Sequence, residues 1–385
     1  MNNRTNSVPT HVLDFLRGFA AVYVLINHTR GNFFMGGGRV VAEASGSLGL
    51  YDYTSLALLQ ATALGTEFVI MFFCISGFSM AHSIQGTSSP FVFYLRRAIR
   101  LWPPYIMAVA LAAFVCWAVL QLSPEGRYAS CATALCTLTG LLQMVFYIKV
   151  STPITAQFWS LPYEVIFYVL CPLLLWRIAA IPLIYAATVV LSVIGIAMYG
   201  YEINPASSVL VNFAINAAFW FMSGVMAYHF LDRLPKLKPP LFWAATATLF
   251  IAVLGIKLAF GGSNAFGNFL MIVLTLLCLT SLPRSITARP LWNWGFFSYS
   301  IYIFHVAFLV LISLMLEALF GIRGSDISNY WAWILVLPPV LFGCWALYLI
   351  SERPTNALLR RMKRKQRPVS SGTSPGMEPS QGRGA

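Results

Sequence analysis

Apolar residues run along this chain in long blocks separated by short polar gaps. Each block approaches the roughly 20 residues that a helix needs to cross the hydrocarbon of a bilayer. Reading the gaps as boundaries predicts about ten crossings, near residues 12–30, 59–82, 103–122, 158–178, 181–199, 209–231, 240–259, 266–282, 296–319 and 331–351. A further apolar stretch from about Thr133 to Ile148 is too short to span and fits a re-entrant, half-membrane helix. The fold class expected is an all-α membrane bundle over residues 1–355, followed by a tail over 356–385. No segment is long enough for a separate soluble catalytic domain, so any chemistry falls to the helices and their short loops.

Composition sharpens this reading. Hydrophobic residues make up 58% of the chain and charged ones only 10%, whereas a soluble domain carries about 25% charged residues. A water-facing surface cannot be covered from so small a polar set, which excludes soluble enzymes, secreted disulfide scaffolds and nucleic-acid modules. Aromatic residues at 15% suit interfacial belts. The net charge of +13, from 25 Lys and Arg against 12 Asp and Glu, is spread through the gaps rather than gathered on one face. The densest cluster is Arg360, Arg361, Lys363, Arg364, Lys365 and Arg367.

If the N-terminus lies inside, the inside gaps hold Arg96, Arg97, Arg100, Arg177, Arg233, Lys236, Lys238, Arg284, Arg289 and the basic tail. The outside gaps hold Arg30, Arg39, Arg127, Lys149, Lys257 and Arg323, with the acids Glu43, Asp52, Glu125, Glu202 and Asp326. That bias predicts N-in and C-in. Past Arg367 the chain is Pro-, Gly- and Ser-rich and reads as a disordered cytoplasmic tail. The first apolar run contains Asp14 and Arg17 and does not resemble a cleavable signal peptide. Of the seven cysteines, only Cys131 and Cys136 share an expected outside loop where a disulfide could form, and without a C-x-x-C pair no metal site is expected.

Ionisable side chains inside hydrocarbon cost roughly 2.5–3.5 kcal/mol each on insertion scales, so their positions mark function. In the first span Asp14 and Arg17 are one helical turn apart and can pair. Arg17 and His28 are eleven residues apart, which puts them on one face with a rise of about 16 Å. A snorkelling pair with a headgroup-level histidine would explain them blandly, but one polar stripe joining both leaflets is an odd way to decorate a lipid-facing helix. The second span carries Glu67 and a Ser76-Gly77 crossing point. Arg96, Arg97 and Arg100 precede Pro103-Pro104, the expected opening of the third span, and their spacing suits forked hydrogen bonds to phosphates as well as ordinary lipid contact. In the fourth, Trp159 is an expected interface anchor, and Glu164 sits a turn or two inside with Tyr168 four residues on. In the ninth, Ser298, Tyr299, Tyr302 and His305 drift slowly round one face, which as a bare pattern equally fits a hydrogen-bonding seam between helices.

These motifs, in order, resemble the acyltransferase-3 family of membrane proteins. The resemblance rests on Leu13, Asp14, Leu16, Arg17, Gly18 and Ala20 with His28; on Phe72, Phe73, Ser76, Gly77 and Phe78; on Arg96, Arg97, Arg100, Leu101 and Pro103; on Trp159, Ser160, Leu161 and Glu164; and on Ser298, Tyr299, Ser300, Ile301, Tyr302 and His305. It implies a ten-helix bacterial inner-membrane O-acyltransferase that takes an acyl group, usually acetyl, from cytoplasmic acyl-CoA to a hydroxyl of a surface or exported glycan. It also implies a role for the first helix's Arg17 and His28, and CoA contacts for the basic motif. Acyl-CoA would be a donor substrate rather than a bound cofactor, and glycan-biosynthesis proteins the expected partners. Two departures stand out: Ile70-Met71 occupy the place where many members carry an acid, with Glu67 one turn earlier, and no esterase-type domain is appended.

Elementary chemistry agrees with the resemblance. Transfer from a thioester to an alcohol needs a base, and an imidazole titrating near 6.5 suits that task. The expected roles are His28 as general base or transient acyl carrier, Glu164 or Asp14 orienting its ring, Arg17 as oxyanion donor or phosphate ligand, and Arg96, Arg97 and Arg100 on the nucleotide. Ser76, Trp159, Ser160, Tyr299, Tyr302 and His305 would line or support the site. The competing function is proton-coupled transport or flipping of a lipid-linked glycan or small anion, which also uses intramembrane Arg, His and Glu. Against it, the two halves show no clear repeat and no matching pair of broken helices. A sensor or scaffold is a third reading.

Overall fold

The computed structural model describes residues 8–44, 47–85, 89–148, 151–175, 178–199, 208–261, 264–288 and 294–365. Its described residues contain no β-strand. The helices are α1 (Thr10–Asn32), α2 (Gly37–Glu43), α3 (Leu50–Ala61), α4 (Gly65–Gln85), α5 (Pro90–Leu122), α6 (Ala129–Leu135), α7 (Leu138–Val145), α8 (Leu161–Leu175) and α9 (Ile181–Tyr199). They continue with α10 (Val209–Asn212), α11 (Ala218–Phe230), α12 (Pro239–Phe260), α13 (Ala265–Ser281), α14 (Arg284–Thr287), α15 (Ser298–Phe320), α16 (Leu337–Ile350) and α17 (Glu352–Lys365). A π-helical turn, Phe213–Ala217, joins α10 to α11 without a break in the chain's path.

Seven stretches are long and apolar enough to cross a membrane: Leu50–Ile84, Pro90–Leu122, Ile181–Met198, Val209–Arg233, Pro239–Phe260, Trp294–Phe320 and Tyr330–Met362. Three expected spans fall outside this set for physical reasons. Helix α1 has the length but carries too many polar side chains, α8 has only 15 residues, and α13 has 17. The outer surface is what lipid requires: Leu183, Val193, Met198, Leu241, Ile251 and Leu335 all expose more than half of their area.

Several boundaries differ from the apolar-run reading. The second span does not start at 59, because the chain breaks after α3 and restarts at Gly65, where α4 crosses. The stretch 133–148 forms two short helices, α6 and α7, rather than one re-entrant rod; Thr137 caps α7 by accepting a bond from the Gly140 N–H. Arg96, Arg97 and Arg100 lie on α5 itself, and Pro103 and Pro104 sit inside that 33-residue helix instead of opening it. The basic stretch does not begin a loose tail either, since α17 carries the helix from Glu352 through Lys365. The tail beyond residue 365 and the loop charges Lys149, Arg177, Glu202 and Arg289 lie outside the described residues. All seven cysteines, Cys131 and Cys136 included, are free thiols.

The polar helix α1 sits in the middle. It packs on α15 and α4, and its Gly18, Ala20 and Ala21 are buried, so small side chains let the neighbours close in. Helix α4 in turn lies against α11 in the most extensive contact of the bundle. Gly77 and Gly224 make that contact reciprocal: a Cβ at Gly77 would collide with the Phe221 carbonyl, and one at Gly224 with the Cys74 carbonyl. The backbones touch because neither position has a side chain.

A second constraint is ionic. Glu67 on α4 is 1% exposed and receives Lys257 Nζ of α12 at 2.9 Å and 3.2 Å, while the same ammonium donates to the Ala63 carbonyl at 2.7 Å. This pair ties the peripheral α12 to the start of α4 and accounts for an acid that the apolar pattern left without a partner.

Two outcomes follow from this packing. Gly224→Ala should lower the apparent melting temperature of the detergent-purified protein, because overpacking a closed contact costs about 1–3 kcal/mol; an unchanged melt would contradict the backbone contact. Lys257→Met strands a buried carboxylate, a class of change that costs about 3–5 kcal/mol, and the double variant with Glu67→Gln should recover much of the lost thermal stability.

Candidate functional site

Five helices meet at one end of the bundle: the first half of α1, the last half of α4, the start of α5, α8 and the start of α15. Between them lies a cavity lined by Arg17, Val69, Phe72, Phe73, Ser76, Met80, Arg97, Arg100, Leu101, Ser160, Glu164, Tyr168, Ser298, Tyr299 and Tyr302. Residues from 17 to 302 thus share one wall, and eight of the residues singled out from the sequence are among them: Arg17, Ser76, Arg97, Arg100, Ser160, Glu164, Tyr299 and Tyr302.

Each charged group is held in place. Arg17 donates to Ser79 Oγ of α4 at 2.6 Å and pairs with Asp14 one turn back at 3.4 Å. Ser79 lies three residues beyond Ser76, on the same helical face, which is the signal that would have found it. Arg97 donates to Ser83 Oγ at 2.8 Å and lies over the rings of Phe93 at 5.4 Å and Tyr168 at 5.6 Å. Arg100 lines the cavity beside them. Tyr168 gives its proton to Glu164, so the Ser76 hydroxyl, 3.4 Å from the same phenol, is the donor in that pair. The cavity therefore holds three guanidiniums and one carboxylate. Its excess positive charge, enclosed by aromatic walls, is suited to a polyanionic guest.

The floor toward α15 is a hydrogen-bonded seam. Tyr302 donates to the Gln157 carbonyl at 2.7 Å, which leaves Ser160 to donate to the Tyr302 oxygen at 2.6 Å. Tyr299 donates to the Leu101 carbonyl at 3.3 Å. Buried Glu352, at the start of α17, accepts from the Ser300 amide and hydroxyl at 3.1 and 2.7 Å and so anchors the beginning of α15. Nothing in the local pattern around Ser300 announces a carboxylate 52 residues away.

Five predicted residues lie apart from the cavity lining. Asp14 reaches the site only through Arg17. Arg96 is on the same helix turn but does not line the cavity. Trp159 is not a free interface anchor, since it packs edge-on to Phe73 at 6.1 Å and Tyr163 at 6.0 Å. His28 lies at the far end of α1, where its ring meets that of fully buried His305 at 5.2 Å between centroids. The ring of His305 is in turn 6.3 Å from that of Tyr302, so the histidine pair adjoins the cavity through the tyrosine. The contacts of Glu164 are with Tyr168 and those of Asp14 with Arg17. The expectation that either carboxylate orients His28 is therefore corrected.

The backbone of His28 is pinned from the loop side. Asn32 donates to its carbonyl at 2.8 Å, and Tyr128 donates to Asn32 Oδ1 at 2.9 Å. Burial pushes the Tyr128 phenol above its usual range, so it keeps the proton that this bond uses. Of the aromatic side chains near this end, Phe33, Phe34 and Tyr128 are buried, whereas Tyr51 and Tyr53 of α3 are exposed. Among the described residues, no group of three His, Cys, Asp or Glu side chains could hold a metal.

Fold and site together define a multi-pass membrane protein built around an enclosed basic cavity with an adjoining histidine pair. The chain belongs to the acyltransferase-3 family, whose acyltransferase-domain model matches residues 10–349. It is 26% identical over 376 residues to Nodulation protein 10 of Rhizobium leguminosarum bv. viciae, an alignment covering 87% of this chain and 90% of that protein. No solved structure matches. The family supports a membrane acyltransferase in preference to the transport reading.

If the Ser79 bond positions the guanidinium, Arg17→Lys should retain far less than half of the transfer rate, because a single ammonium nitrogen lacks the planar fork by which separate guanidinium nitrogens reach Asp14 and Ser79. A rate near that of the parent protein would show that any cation suffices.

Proposed function

We propose that this protein is an integral-membrane O-acyltransferase that carries an acyl group, acetyl in the first instance, from acyl-CoA to a hydroxyl of a surface or exported glycan. The observation that carries the reading is the imbalance of three guanidiniums to one carboxylate in a cavity inside the bundle, in a chain of this family. In this reading ten helices cross a bacterial cytoplasmic membrane with both termini inside, and the basic cavity opens to the side where acyl-CoA is made. The basic residues of α17 and the polar tail stay on that side.

Distance divides the chemistry. Arg17 and His28 are about 16 Å apart along α1, and the Arg17 guanidinium is drawn back toward Asp14 and across to Ser79. It therefore cannot stand over a thioester carbon that reacts at His28. The phosphate role is the one this geometry supports: Arg17, Arg97 and Arg100 hold the charged end of acyl-CoA, and the pantetheine arm runs along α15 past Tyr302 to the histidines. There an imidazole removes the proton of the acceptor hydroxyl, and the oxygen attacks the thioester carbonyl carbon. The C–S bond breaks, and the departing thiolate takes up the proton. The acceptor arrives from the end of the bundle where Tyr51 and Tyr53 are exposed.

With radiolabelled acetyl-CoA and detergent-purified protein, His28→Ala should lower turnover by about 10²–10⁴-fold, the usual contribution of a general base. Arg97→Gln with Arg100→Gln should raise KM for acetyl-CoA at least tenfold while leaving the melting temperature within a few degrees. Full turnover in His28→Ala would remove the histidine end of the reading, and an unchanged KM would remove the arginine end. Consumption that requires closed vesicles would point to transport instead.

A further inference from the structure

His305 has an unused capacity that nothing so far employs. Its Nδ1 lies 2.9 Å from the carbonyl oxygen of Ile301 and 2.9 Å from that of Tyr302. Carbonyl oxygens only accept, so Nδ1 must carry the hydrogen, and in the neutral ring the lone pair is then on Nε2. That Nε2 is buried and has no hydrogen-bond partner. A buried acceptor left unpaired costs about 1–3 kcal/mol, and His305 is fully buried in the interior of α15, where an apolar residue would fill the space without that penalty. The ring that faces it, 5.2 Å away, is His28, itself only partly buried.

We propose that His305 is the positioning residue of the reaction: its Nε2 lone pair receives the ring N–H of His28, which leaves the opposite nitrogen of His28 unprotonated and aimed at the acceptor hydroxyl. The inference rests on the acyl-transfer reading above. In this arrangement the helix's own carbonyls do for His305 what a second side chain would do elsewhere: they select its tautomer. His305 in turn does for His28 what a carboxylate does for the histidine of a Ser-His-Asp triad. Burial keeps His305 from touching the acceptor, so it acts only through His28. The rings are not yet in hydrogen-bond contact, as is common for catalytic pairs without substrate. A neutral partner also suits the site: a carboxylate beside His28 would favour imidazolium, whereas a neutral imidazole orients the ring without holding it protonated.

The test compares His305→Gln, whose amide oxygen can reach the Nε2 position, with His305→Met, which fills the volume without an acceptor. Both are assayed for acetyl-CoA turnover, KM and melting temperature. Expected is a loss of at least 30-fold in kcat for His305→Met with KM for acetyl-CoA within threefold of the parent protein, and recovery of at least tenfold of that loss by His305→Gln. Equal kcat in the Met variant overturns the proposal, as does equal loss in both variants. A measurement on the unaltered protein that needs no turnover is the ¹⁵N spectrum of its histidines at neutral pH. It should show a neutral ring with hydrogen on Nδ1 for the signal that His305→Gln removes, and the opposite tautomer or an imidazolium overturns the proposal. Should the unaltered protein fail to turn over acetyl-CoA while the spectrum shows the expected tautomer, the acyl-transfer reading falls, and with it the role assigned to His305.

Discussion

Charge in hydrocarbon must be answered by other charge or by hydrogen bonds, and this constraint organises the bundle. Arg17 could not remain on the middle helix without the Ser79 hydroxyl and the Asp14 carboxylate. Satisfying it draws α4 close to α1 at one end. At the other end the Glu67–Lys257 pair holds the start of α4 to α12. The polar groups therefore act as pins at defined heights, and the apolar surfaces between them pack around the distances the pins allow. The most polar of the expected crossings becomes the centre of the protein because its neighbours replace water for it.

The cavity follows from the same constraint. Three guanidiniums around one cavity, with one carboxylate among them, leave an unbalanced field there. Hydrogen bonds to Ser79 and Ser83 fix two of them through neutral hydroxyls, and the Asp14 carboxylate beside Arg17 offsets only part of the surplus. The rings of Phe93 and Tyr168 lie beside the Arg97 guanidinium and hold it further. Such preorganisation is what the proposed binding of a polyanion calls for, since the guest would order little that is not already ordered.

The division of α1 into an arginine end and a histidine end gives the protein two chemically different regions joined by one rod. Tyr302 lies at the junction, bonded to the 3-10 turn before α8 through Gln157 and Ser160 and facing His305. Glu352 holds the neighbouring Ser300 from α17. The start of α15 is thus fixed from both sides, so the heights of Tyr299, Tyr302 and His305 relative to α1 are set by side-chain bonds as well as by packing.

Much of this was legible in the order of residues. The apolar period made the chain a helical membrane protein, the penalty for intramembrane charge picked out Arg17 and Glu164, and the spacing of the basic motif picked out Arg97 and Arg100; these four do share a cavity. Spacing along one helix also predicted the Asp14–Arg17 and Glu164–Tyr168 pairs, because neighbours three and four apart meet whatever surrounds them. Contacts between helices were not legible. That His28 faces His305 rather than a carboxylate, that Lys257 answers Glu67, that Glu352 anchors Ser300, and that Arg17 leans toward Ser79 and away from His28 all depend on the rotation and height of one helix against another. Those are decided by the summed packing of many side chains, such as the bare backbone contact at Gly77 and Gly224, and periodicity along a single helix carries no record of them.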